Sequence, residues 1–354
     1  MNVSRRSFGR LADRDVGLTT LESDTLEVRV LDYGATVQAL FVPDRHGQRD
    51  DVVLGFDSVE EYEACPAFVG GIVGRVANRI ASGRFELEGQ SYQLDTNDPP
   101  HHLHGGRAGW DKALWRFEAA GVNEPTANGP SASLRLSHDS PDGEGRYPGR
   151  VRAEVEFRVS GSQLEIIMLG TTDRPTLLNL AHHGYFNLGG QSRASVLDHE
   201  LTLYADERTP GVVPDGRVIQ VAGSAFDFRA QRRLGLDLPE RDGAPRGYDD
   251  NFVVRGHDSQ RNASREPLRP VARLSDPESG RTMAVSANQP GVQLYSGNYL
   301  DGSLTGKQRS FHKYAAVCLE TQAFPNAIDV PEWRKQVILN PGEQYRHVQV
   351  FRFE

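Results

Sequence analysis

The chemistry in this chain is concentrated in short blocks where polar side chains interrupt apolar, glycine-punctuated sequence. In Val317-Cys318-Leu319-Glu320-Thr321-Gln322, Glu320 ends an apolar run. A carboxylate in that position is either buried and paired or lines a pocket. In Asn179-Leu180-Ala181-His182-His183-Gly184-Tyr185-Phe186-Asn187, two histidines and a tyrosine are enclosed by apolar residues. Such a setting can move an imidazole across neutrality, which suits it to proton transfer. The segment Gly74-Arg75-Val76-Ala77-Asn78-Arg79-Ile80 offers two arginines and an amide. Arginine presents a rigid fork of donors suited to vicinal hydroxyls or a carboxylate, and surface charge or a structural salt bridge is an equally good reading from composition alone.

Further blocks add binding groups. His101-His102-Leu103-His104-Gly105-Gly106 invites a metal, but no carboxylate or cysteine cluster stands at ligand spacing. Its glycine pair suggests a turn that brings backbone close to a ligand, with His104 pointing a ring nitrogen into the site. Tyr248-Asp249-Asp250-Asn251 supplies carboxylates and an amide, which are hydroxyl binders or ordinary turn residues. Gln293 and Tyr295, in Gly291-Val292-Gln293-Leu294-Tyr295-Ser296-Gly297-Asn298, provide the amide and aromatic face that sugars use. No Gly-x-Ser-x-Gly elbow and no phosphate-binding glycine loop is present. What remains is a pocket with histidine, glutamate and many hydroxyl binders, which is acid–base chemistry on a sugar without metal or cofactor.

These residues must be positioned by strands. From Val151 to Val159 the chain alternates apolar and charged residues, one face for a core and one for water. Ser160-Gly161-Ser162 supplies a turn, and Leu164 to Met168 returns as a second strand. Leu26 to Leu31 repeats the pattern. Near the C-terminus, Val337-Ile338-Leu339, a Pro341-Gly342-Glu343 turn and Tyr345 to Phe353 read as a hairpin. One short helix is expected at Val59 to Glu63, after a cap at Asp57 or Ser58. Asn123 to Ser131 and His257 to Pro270 read as exposed loops. Strands do not alternate with amphipathic helices, so the fold class is all-β, a large antiparallel β-sandwich over a single domain, residues 1–354.

Composition narrows the partners. The 354 residues carry a net charge of −8 with dispersed lysine and arginine, which disfavours nucleic acid and anionic membranes. No apolar stretch is long enough to span a bilayer. Cys65 and Cys318 are read as reduced thiols in a cytoplasmic protein. Ser4-Arg5-Arg6-Ser7-Phe8 looks like the start of a twin-arginine export signal, but the charged residues that follow reject that reading, and Phe8 is taken to begin the first strand region.

In this order, the blocks resemble the aldose 1-epimerase (galactose mutarotase) family from about Phe8 to Phe353. The specific marks are Gly-Arg-Val-Ala-Asn-Arg-Ile, Leu-His-Gly-Gly, Asn-Leu-x-x-His-x-Tyr-Phe-Asn-Leu and Glu-Thr-Gln. The resemblance implies the family's large supersandwich with few short helices and a site in a cleft on one face. It implies that Glu320 is the general base, taking the proton of the anomeric hydroxyl, and His183 the general acid, giving one to the ring oxygen. It also assigns sugar binding to Asn78, Arg79, His104, Asp249 and Gln293, and a weaker binding position to Tyr185. Ordinary pKa values give an ionised Glu320 and a His183 imidazolium within reach of neutral pH. The implied partner is a monosaccharide such as glucose or galactose, bound by a monomer or weak dimer. Two positions depart from the family pattern, His182 and Asp250, and are expected to bear on the His183 pKa and on the choice of sugar. A hexose-6-phosphate 1-epimerase, which would need a further arginine such as Arg75 in the pocket, and a non-catalytic sugar-binding sandwich are the alternatives.

Overall fold

The computed structural model describes residues 1–126, 129–240, 243–258 and 263–354. Three antiparallel sheets carry the architecture. A five-stranded meander uses the first strands in sequence order, from Asn2–Leu11 to Arg49–Asp51. A nine-stranded sheet contains Val151–Ser160, Gln163–Thr172 and Tyr345–Phe353 as neighbours. A six-stranded sheet runs Tyr185–Phe186, Val317–Gln322, Gly291–Tyr295, Asp249–Val254, Ala205–Thr209 and Ile219–Gln220. One hydrophobic cluster joins all three sheets, with Val30 and Leu40 from the first, Val155, Phe157 and Phe351 from the second, and Leu294, Leu319 and Phe252 from the third. Period-two patterning explains this: each sheet gives one face to the shared core.

The alternating strand from Val151 pairs along its whole length with Gln163–Thr172, as its pattern predicts. The helix forms at Val59–Ala64 behind Ser58, whose side chain accepts from the Glu61 N–H while the Glu61 carboxylate accepts from the Ser58 N–H. Such a cap contributes about 1 kcal/mol.

Three expectations are corrected. The C-terminal hairpin does not form. Both edges of Tyr345–Phe353 are taken, by Gln163–Thr172 and by Thr282–Ala287, so Ile338–Leu339 pairs instead with Thr176–Leu177. A turn signal cannot make a hairpin when a long strand has two better partners. The segment from Asn123 to Ser131 is mostly strand rather than loop: Asn123 lies opposite Ser131, and its side-chain amide donates to Ser131 and Ser133 across the pair. Residues 127–128 lie outside the described residues. The twin arginines sit inside the strand Asn2–Leu11, which begins well before Phe8. Arg5 pairs with Asp32 at 2.7 Å and covers the Phe117 ring. In the second proposed loop, residues 259–262 lie outside the described residues, and Arg269 already begins the strand Arg269–Ser275.

Candidate active site

The site is built on the outer face of the six-stranded sheet, and strand register does most of the placing. Tyr185, Cys318, Tyr295 and Asp249 stand opposite one another in one row across four strands. Glu320 stands opposite Gln293 in the next row on that face. The alternate residues Leu319, Leu294 and Phe252 enter the core. Two-residue periodicity thus sends Asp249, Gln293 and Glu320 to one side and their neighbours to the other.

The opposing wall comes from loops. Asn78 and His104 interlock: the His104 N–H donates to the Asn78 carbonyl (3.1 Å), and the Asn78 N–H donates to His104 Nδ1 (3.2 Å). Phe68, Asn78 and His104 all hold left-handed backbone, with φ of 56°, 62° and 50°. Non-glycine residues seldom adopt it, and such residues cluster at functional sites. Gly105 serves the wall, though not by approaching a ligand as its sequence suggested. A Cβ there would lie 1.7 Å from the Gly74 carbonyl oxygen, so the two loops pack backbone to backbone.

Floor and wall enclose a cleft of about 400 Å³. Asn78, Arg79, His104, His183, Tyr185, Asp249, Gln293 and Glu320 all line it. The cleft also uses residues that sequence reasoning left off its site list. Phe68 lies near-parallel to the His183 ring at 5.8 Å and packs on His104 at 4.6 Å. Asp98 pairs with Arg79 at 2.7 Å and aims its guanidinium. Tyr295 and Tyr299 stack at the mouth. Tyr295 was legible as an aromatic in a sugar-type block. Asp98 had only the turn signal of Asn97-Asp98-Pro99, and nothing in residue type marks Phe68.

Other singled-out residues lie elsewhere. His102 is buried against Tyr147, and His101 accepts from the Ser82 N–H. Arg75 is buried with all three nitrogens donating to Ser140, Pro141, Pro148 and Gly149, so it does not serve the cleft. Asp250 is on the opposite face from Asp249 and pairs with Arg208 at 3.1 Å. The His182 ring packs near Phe186 and Phe351, away from the cleft. Both departures from the family pattern therefore sit behind the floor.

The polar centre is closely spaced. His183 Nε2 lies 3.7 Å from Glu320 Oε2. Glu320 is 2% exposed and Oε2 has no hydrogen-bond partner among the described residues. Gln293 donates to Asp249 at 2.7 Å, and its own buried oxygen is unpaired among the described residues. Buried, unpaired polar atoms are costly, so such atoms facing a cleft are groups awaiting a polar ligand. Burial, then the nearby Asp249 charge, pushes the Glu320 carboxyl well above its ordinary range, while Arg79 opposes this. Burial pushes His183 down to about 4. His104 also falls well below its ordinary value, through burial and then the neighbouring His183. The sequence expectation of an ionised pair is thus corrected for the free cleft. Shut away from water, both groups favour their neutral forms.

His104, His183 and Glu320 are close enough together to suggest a metal ion. Yet the His104 Nδ1 lone pair already accepts from Asn78, which places the ring proton on Nε2. His104 therefore faces the cleft as a neutral donor, a poor ligand and a good hydroxyl partner.

The aldose 1-epimerase family model matches residues 17–352. The chain belongs to the aldose 1-epimerase family. It is 40% identical to a galactose mutarotase from Bos taurus over 362 residues, covering 100% of this chain and 99% of that protein. It is 30% identical to an aldose 1-epimerase from Escherichia coli (strain K12) over 343 residues, covering 95% and 94%. Among solved structures, a galactose 1-epimerase from Lactobacillus acidophilus superposes with a TM-score of 0.83 at 28% identity, covering 100% of this chain and 99% of that one. An aldose epimerase homologue from C. elegans gives 0.84 at 28% identity, covering 96% and 99%. The fold is thus the galactose mutarotase-like sandwich expected from the sequence. As an aldose 1-epimerase, the protein is an isomerase that interconverts the anomers of a sugar.

Proposed function

We propose that Glu320 and His183 carry out mutarotation of free aldoses, with galactose and glucose as substrates, while Asn78, Arg79, His104, Asp249, Gln293 and Tyr185 hold the ring. The observation that carries this reading is the 3.7 Å separation of Glu320 Oε2 and His183 Nε2, two buried side chains that both line the cleft. The anomeric hydroxyl oxygen and the ring oxygen are bonded to the same carbon. An acid and a base that serve both must therefore lie within a few ångströms of each other.

Ring opening takes the proton from the anomeric hydroxyl to Glu320 and delivers one from His183 to the ring oxygen. Rotation about C1–C2 turns the aldehyde, and closure reverses both transfers. The neutral pair of the free cleft carries the same number of protons as the carboxylate–imidazolium pair that opening requires. One transfer between the facing atoms interconverts them, so the two groups titrate as a unit. Sugar hydroxyls that donate to Glu320 favour its ionised form. The His104 Nε2–H and the Arg79 guanidinium are placed to stabilise oxygen charge as the ring opens.

A free sugar is favoured over a sugar phosphate because Arg75 is engaged elsewhere and Arg79 is paired with Asp98. The names of the relatives support galactose as a substrate. We read residues 1–354 as a single domain, because one core joins all three sheets. A monomer or weak dimer in the cytoplasm, with two buried free thiols, completes the reading. Polarimetry with freshly dissolved α-D-galactose, α-D-glucose and α-D-glucose 6-phosphate tests substrate class. Acceleration with the free sugars alone is expected. Faster turnover of the phosphate would overturn the reading.

A further inference from the structure

Near-parallel stacking fixes the plane of the His183 imidazole. Phe68 lies at 5.8 Å and 24°, and Tyr185 at 5.0 Å and 21°. Stacking does not choose which nitrogen faces which way, nor which one carries the proton of the neutral ring. Those choices fall to groups at the ring edge. One strand supplies two of them. Cys318 and Glu320, two residues apart on Val317–Gln322, share a face. The Glu320 carboxylate meets Nε2, and the Cys318 sulfur lies 3.7 Å from Nδ1. The cysteine is fully buried and is not one of the cleft-lining residues.

The chemistry decides the direction of that contact. On closure of the sugar ring, the nitrogen facing the cleft must have a free lone pair to take the proton back. In the neutral ring the proton must then sit on Nδ1, which needs an acceptor. The carbonyl oxygen of His183 itself accepts from the Gly70 N–H at 2.9 Å and keeps a second lone pair toward the ring. Among the described residues, the Cys318 sulfur is the side-chain neighbour at Nδ1. Were the thiol to donate to Nδ1 instead, the ring proton would occupy Nε2, and the neutral imidazole could not act as a base toward the sugar.

Resting on the reading of His183 as the general acid, we propose that Cys318 is a positioning residue: its sulfur accepts the Nδ1–H of His183 and thereby keeps Nε2 as the nitrogen that gives and regains the proton. Sulfur is a weak acceptor. Burial keeps the thiol protonated, and the charge of Glu320 once ionised, with that of Asp249, adds to the effect. The bond therefore orients the ring without adding a negative charge to the imidazole's surroundings. A carboxylate in the same place would hold the imidazolium more tightly and slow its loss of a proton.

The test combines a spectroscopic signature with kinetics. Long-range ¹H–¹⁵N correlation of the intact protein at neutral pH, with His183 assigned through His183→Gln, reports the tautomer directly. The Nδ1–H form is expected in the wild type and in Cys318→Ser, whose hydroxyl also accepts. Cys318→Ala should show a mixture of tautomers, with kcat lowered about fivefold and KM unchanged, the population factor governed by one hydrogen bond of ordinary strength. Cys318→Ser should recover most of that loss. An Nε2–H ring in the wild type overturns the proposal, as does an unchanged tautomer and kcat in Cys318→Ala. If the alanine variant does not fold, the wild-type and serine spectra still decide. Full activity in His183→Gln would instead remove the acid assignment, a failure distinguishable from that of the tautomer.

Discussion

The floor and the wall of the cleft reach the same result by opposite means. Floor residues Tyr185, Asp249, Gln293 and Glu320 stand on paired strands, where register alone decides which way each points. Wall residues Phe68, Asn78 and His104 stand on loops, each in left-handed backbone that only the surrounding packing maintains. The floor is robust because every strand holds its neighbour. The wall is exacting because two loops meet at Gly74 and Gly105 with no room for a side chain. Of the two proton-transfer groups, Glu320 belongs to the floor and His183 to the link just before the floor strand Tyr185–Phe186, while much of the orientation of the sugar belongs to the wall.

Substitutions can separate the two. The largest effect expected outside Glu320 is from His183→Asn, which removes the acid and should lower kcat by ~10²-fold or more, measured by polarimetry at saturating sugar. Gly105→Ala attacks the wall alone. It should force the loops apart, with a lower melting temperature and a KM raised far more than kcat falls. If kcat fell and KM held, the charge stabilisation that His104 supplies from the wall would outweigh the wall's part in holding the sugar. Asp98→Asn loosens Arg79 and should raise KM by about two- to fivefold, the range of a partly exposed ion pair. Asp250→Asn gives the smallest change in activity. It breaks the pair with Arg208 behind the floor and should lower thermal stability while leaving kcat and the sugar preference unchanged.

The pH profile sharpens the same division. With His183 pushed down to about 4, kcat/KM of the free enzyme should be flat near neutrality and fall only as the pH drops toward 4, where the pair gains a second proton. The alkaline limb marks loss of the pair's single proton. Asp249 raises the Glu320 carboxyl, so Asp249→Asn should move that limb to lower pH. A limb that stays in place would mean the two charges are not coupled.

Much of the floor was legible in the sequence, because a period of two states both the element and the face. The pattern around Glu320 and Gln293 already separates core residues from site residues. The same rule could have placed Asp250 behind the floor, since it follows Asp249 on one strand. The wall was legible only as blocks. Asn78, Arg79 and His104 were marked by type, but left-handed backbone at Asn78 and His104 leaves no periodic trace, and Phe68 looks like any core aromatic. The C-terminal hairpin was misread for a related reason. Its turn signal is local, whereas the partners of Tyr345–Phe353 lie far away in sequence. The protonation of Glu320 and His183 was hidden too, because burial is a property of the folded cleft.

The central claim is that Glu320 transfers the proton of the anomeric hydroxyl. Glu320→Gln keeps the size of the side chain and the neutral charge favoured in the free cleft, so the fold and sugar binding should survive. The decisive measurement is the mutarotation rate of α-D-galactose at saturation, with sugar affinity determined by calorimetry on the same preparation. A kcat lowered by ~10²-fold or more with affinity retained is the predicted result. A variant that binds galactose and turns it over within about tenfold of the wild type would contradict the assignment of the base.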